Sequence, residues 1–97
     1  MKNKDKVFLS ETSINFIKNY LIEEMNITKP IDEEKLAEIE DVCNDYGDLL
    51  ASKEINPEIV INEEKCLLAD KVGSEIYSAI ENSIIDYNDL NKKLGLI

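Results

Sequence analysis

The sequence predicts an all-α fold, a compact bundle of three main helices plus a short C-terminal helix, in a single helical domain spanning residues 1–97. Three observations lead there. Apolar residues recur at helical spacing through three long segments. Four helix starts share one code, in which an apolar residue, a capping side chain and a second apolar residue five positions after the first follow in order. Apolar residues make up 43% of the chain, enough for one core of ordinary size.

The first start, Leu9, Ser10 and Ile14, opens a helix near 11–26. Its apolar residues are Ile14, Phe16, Ile17, Tyr20, Leu21, Ile22 and Met25, a band wide enough to require neighbours on more than one side. Thr28, Lys29 and Pro30 form the linker to the second start, Ile31, Asp32 and Leu36, which opens a helix near 33–54. Glu33 and Glu34 fall in its first turn, where the helix dipole favours negative charge. Asn56 and Pro57 begin the next linker, because proline has no N–H to continue the ladder.

The third start, Ile61, Asn62 and Cys66, opens a helix near 63–82 that carries Leu68, Ala69, Val72, Ile76, Ala79 and Ile80 on its apolar side. Gly73 inside it costs about 1 kcal/mol relative to alanine, which close approach of another backbone or simple tolerance would explain. The fourth start, Ile85, Asp86 and Leu90, opens a short helix near 87–94, ended by Gly95. Tyr77, Ile80, Ile84, Tyr87 and Leu94 keep helical spacing across the junction, so fusion of the last two helices is an alternative. Lys6–Leu9 and Glu58–Ile61 are short β-branched or aromatic runs, and a two-stranded ribbon between them, giving an α+β fold, is the minor alternative. Residues 31–35 are echoed at 61–65; two helix starts meeting one capping demand explain this better than a duplication.

Eleven lysines face 21 carboxylates, with no arginine and no histidine, for a net charge of -10. Such a surface repels nucleic acid and anionic membrane, so neither is an expected partner. Without histidine there is no Ser-His-Asp or Cys-His nucleophile and no histidine-bearing zinc site. A calcium loop with Gly47 at its sixth position would need an oxygen ligand where Val42 stands, and it fails. No enzyme activity, metal or cofactor is expected. The lysine-rich start is too short for a signal peptide and no segment resembles a membrane span, so the expected location is cytoplasmic. Cys43 and Cys66 are expected as free core thiols, since antiparallel packing of the second and third helices would leave them about 12 Å apart along the axis.

The most informative pattern lies on the second helix. Residues 32–48 hold eight carboxylates and one lysine. At 100° per residue, Glu34, Glu38, Asp41, Asp45 and Asp48 fall within an arc of about 80°, opposite Leu36, Ile39, Val42, Cys43, Tyr46, Leu49 and Leu50. The result is an acidic ridge roughly 21 Å long. Like charges at these spacings oppose the helix by about 1 to 2 kcal/mol in total. A break at Gly47 would turn Asp48 off the line. A solvated surface face is the plain reading of this pattern. The functional reading is a small acidic protein-binding module of the regulator or inhibitor type, docking a protein partner with a basic surface through these five carboxylates. The alternative is a structural or oligomerising helical protein, a homo-oligomer formed through Phe8, Ile84, Ile85, Leu96 and Ile97.

Overall fold

All four predicted capping side chains accept the backbone hydrogen bond their position calls for in the computed structural model, which describes residues 9–82 and 85–97. Ser10 Oγ accepts from the Ser13 N–H at 3.2 Å, Asp32 Oδ1 from Lys35 at 2.9 Å, Asn62 Oδ1 from Lys65 at 3.0 Å and Asp86 Oδ1 from Asp89 at 3.1 Å. Each cap starts a helix. α1 is a run of three stretches, α-helical Glu11–Phe16, π-helical Ile17–Leu21 and α-helical Ile22–Glu24. α2 spans Glu33–Ile55, α3 Glu63–Glu81 and α4 Tyr87–Leu94. The fold is all-α, and among the described residues there is no strand.

The π-helical turn was not legible in the apolar spacing. It is marked by the Ile22 N–H bonding back five residues to the Ile17 carbonyl. Its wider turn accompanies burial of both Phe16–Ile17 and Leu21, while Tyr20, expected in the apolar band, stands nearly half exposed. α1 also ends two residues earlier than the spacing suggests. Asn26 adopts φ 55°, and the Ile27 and Asn26 N–H groups return to the Ile22 and Glu23 carbonyls at 2.9 and 3.2 Å. This is a Schellman stop with asparagine in the left-handed position.

α2 and α3 form an antiparallel hairpin in which two glycines stand where the helices approach each other. A Cβ on Gly73 would stand 3.0 Å from the Cβ of Cys43, and one on Gly47 would stand 2.7 Å from Asp70 Oδ1. Gly73 is therefore a close-approach residue, and α2 runs unbroken through Gly47. Cys43 faces position 73 rather than Cys66, and both thiols are buried and free.

α4 closes the base of the hairpin. It ends in a second Schellman motif, with Gly95 at φ 78°, its N–H on the Lys92 carbonyl at 3.1 Å, and the Leu96 N–H on the Asn91 carbonyl at 2.9 Å. Asn91 is buried among apolar residues, and its side chain meets the backbone of Ile31 in the α1–α2 linker. The fused-helix alternative fails, because α3 stops at Glu81 and Asp86 adopts an extended conformation as the cap of α4. Ser83 and Ile84 lie outside the described residues.

The core is drawn from every helix: Phe16, Ile17 and Leu21 from α1, Leu36, Ile39 and Cys43 from α2, Ala69, Val72 and Ile76 from α3, and Leu90 with Leu94 from α4. Leu9, Ile14, Ile85 and Leu90, from the first and fourth starts, line one shared pocket. The core stripe is shorter than predicted at the hairpin tip, where Leu49 is exposed and Leu50 half-buried, and Tyr77 on α3 is likewise exposed. No ribbon is formed among the described residues. Lys6, Val7 and Phe8 lie outside the described residues, and Glu58–Ile61 is a turn and linker in which the Glu58 N–H donates to Asn56 Oδ1 at 3.2 Å and the Ile59 N–H to the Asn56 carbonyl at 3.1 Å. Asparagine turn chemistry takes the donors that a strand would have used.

Candidate functional site

The α2 helix places Glu34, Glu38, Asp41, Asp45 and Asp48 on one exposed line. Because the helix is continuous past Gly47, Asp48 keeps its place, and the five carboxylates follow one another at about 5 Å of axial rise. The opposite side is anchored by fully buried Leu36, Ile39 and Cys43, which fixes the direction in which the ridge points. One of the five is partly neutralised. Lys35 Nζ lies 2.8 Å from Glu38 Oε2, and this contact holds the lysine above its usual pKa.

The remaining lysines of the hairpin stand away from the ridge. Lys65 is bracketed by two rings, 5.2 Å from the centroid of Tyr20 and 4.8 Å from that of Tyr46, with the Glu24 carboxylate at 3.8 Å. The Tyr46 hydroxyl donates to both Glu24 oxygens, at 3.2 and 3.3 Å. The hydrogen bond with Tyr46, and then the negative groups around it, hold Lys65 above its ordinary range. This cluster ties α1, α2 and α3 together at the level where α1 ends. Lys71 lines a depression with Ser10, Thr12 and Ser13 on the α1 side, and Lys53 lies 3.8 Å from Glu63 at the hairpin tip.

The carboxylates follow the helix line and do not converge. Among the described residues no group of three or more histidine, cysteine or acidic side chains is placed to hold a metal ion. No helix among them is long and apolar enough to cross a membrane. Cys43, fully buried, has its thiol pushed up to about 12, first by desolvation and then by Glu40, so it is a poor nucleophile near neutral pH.

Of the residues named for a self-association surface, Phe8 and Ile84 lie outside the described residues, Ile85 and Leu96 are half-buried against the core, and Ile97 is exposed. The most exposed large apolar residues on the hairpin helices, which the helical spacing did not mark as a site, are Ile55, Leu67 and Tyr77. The available signal was that Leu67 and Ile55 fall outside the core phase of their helices.

Comparison with known proteins gives no family model, no curated protein and no solved structure that matches this chain.

Proposed function

We propose that the chain is a small acidic protein-binding module, of the regulator or inhibitor type, that docks a basic protein partner through α2. The observation that carries this reading is the ridge itself: five exposed carboxylates on one unbroken helix, with one lysine bridged to them. Neighbouring like charges at i,i+3 and i,i+4 work against the helix, and interleaved lysines would have relieved them. A basic surface on a partner would turn that repulsion into attraction and speed the encounter, by about 10- to 1000-fold at low salt.

The test is Glu38→Lys combined with Asp45→Lys. Both positions are exposed, so the fold is expected to survive, as judged by circular dichroism and thermal melting. Affinity capture from the native host at two salt concentrations should retain a basic protein with the wild-type chain, less of it at high salt, and none with the variant. Retention of the same protein by the variant would refute the reading.

A further inference from the structure

The α2–α3 hairpin has two broad sides, and among the described residues one of them is covered and the other is not. α1 lies on the side marked by Lys65 against Tyr20 and by the Ser10 N–H on Glu75. The other side is traced on α2 by Ala37, Glu40, Asn44, Asp48, Ala51 and Ile55, and on α3 by Glu63, Leu67, Asp70, Ser74, Tyr77 and Glu81, both stripes at helical spacing. Every one of these residues is exposed or half-buried. Contacts across the hairpin show that the stripes adjoin: Gly47 meets Asp70, a Cβ on Gly73 would stand 3.1 Å from Asn44 Oδ1, and the carboxylates of Glu81 and then Glu40 act on the Tyr77 phenol.

Two properties of this face point to the same kind of occupant. It exposes large apolar side chains, with Ile55 at 87%, Leu67 at 61% and Tyr77 at 55% of their full accessibility. Among the described residues it also holds carboxylates and, apart from Lys53 at the tip against Glu63, no lysine of the hairpin, because Lys65 and Lys71 face α1 and Lys35 pairs with Glu38. A second copy presenting the same described residues would set carboxylate largely against carboxylate, and an anionic lipid surface carries the same sign. A basic, apolar surface is the complement.

We propose that this uncovered face seats one amphipathic α-helix of the partner, its apolar side chains on Leu67 and Tyr77 and its flanking lysines or arginines on Glu40, Asp48, Asp70 and Glu81. Leu67 and Tyr77 are separated by about 15 Å along α3, a span that a partner helix covers in about ten residues. Ala37, Gly47 and Ala51 leave the α2 edge low enough for the helix to lie close. The proposal rests on the reading of α2 as the docking helix and adds the form of what docks.

The probes are two fluorescein-labelled peptides of identical leucine and lysine composition, one with its leucines on a single helical face and one scrambled. Fluorescence anisotropy with the wild-type chain should give tighter binding of the amphipathic peptide. Leu67→Ser with Tyr77→Ser should weaken that peptide by about tenfold or more, as loss of apolar anchors does, and leave the scrambled one unchanged. Leu67→Ala alone, a milder change at an exposed helical position, should give a smaller loss in the same direction. Equal binding of both peptides by the wild-type chain, or unchanged binding by the variants, overturns the helix seat. If Glu38→Lys with Asp45→Lys still abolishes binding in that case, the ridge reading stands without it; if neither peptide binds the wild-type chain at all, both readings fall. A dimer of the protein alone that Leu67→Ser dissociates assigns the face to a second copy and also overturns the proposal.

Discussion

The side-chain amide of Asn91 holds both backbone groups of Ile31, accepting from its N–H at 2.7 Å and donating to its carbonyl at 2.9 Å. The same amide also donates to the Tyr87 carbonyl at 2.8 Å. A buried asparagine thus satisfies the linker peptide that precedes α2 and joins it to α4. The ridge begins on α2 three residues beyond that linker peptide, so the base of the helix that carries the ridge is fixed by this amide.

Asn91→Ala should be among the more damaging single changes. It orphans a buried donor and a buried acceptor of Ile31, at about 1 to 3 kcal/mol for each group, so a loss of about 2 to 6 kcal/mol is expected. Urea denaturation followed by circular dichroism measures it. A loss under about 0.5 kcal/mol, the range of an ordinary surface change, would show that water replaces the amide without cost.

The two hairpin glycines should respond to alanine with opposite signs. At Gly73 the new methyl meets the Cβ of Cys43, which is fixed to the α2 backbone, so the helices must part; overpacking of this kind costs about 1 to 3 kcal/mol. At Gly47 it meets only the far end of the exposed Asp70 side chain, which can rotate away, leaving a helix-propensity gain of up to about 1 kcal/mol. Thermal melts of the two variants against the wild type decide the matter.

Asp45→Lys alone should raise stability while weakening partner binding. Asp45 has Asp41 four residues before it and Asp48 three after, so the change replaces two repulsions with two attractions on an exposed helix face. The gain expected is about 1 kcal/mol at low salt, shrinking as salt screens it. A fall in melting temperature would contradict the repulsion argument.

Alkaline pH should destabilise the protein through Cys43. Its folded-state pKa of about 12 lies above the ordinary thiol value of 9.0, so the unfolded chain releases the proton first. Stability from this group is unaffected below about pH 9 and declines from there toward pH 12, with a slope of at most about 1.4 kcal/mol per pH unit. Cys43→Ala should lose that component of the slope, although it is less stable at neutral pH from the cavity it leaves. The folded wild type should also react slowly with thiol reagents at neutral pH.

The caps were legible because a helix start is a local chemical demand. Ser10, Asp32, Asn62 and Asp86 each bond a backbone N–H three residues on, and no tertiary information was needed to find them. The ridge positions followed from helical phase for the same reason. What stayed hidden depends on which helix covers which side. Tyr77 carries core spacing and is exposed because none of the described helices lies over it, while Asn91 is polar in sequence and buried because Ile31 offers it partners. The π-helical turn in α1 likewise reflects packing on two sides, which apolar periodicity averages away.

The hairpin register also bears on the order in which the molecule assembles. Cys43 meets Gly73, and Gly47 meets Asp70, across loops much shorter than those closed by Asn91 with Ile31 or Ser10 with Glu75, which are 60 and 65 residues apart. Shorter loops lose less entropy on closing, so α2 and α3 should zip together before α1 and α4 dock. Amide hydrogens near Cys43 and Gly73 should then be the slowest to exchange, while α1 and α4 open as a less stable layer. The half of the protein that bears the carboxylates would be the half that folds first and stays folded longest.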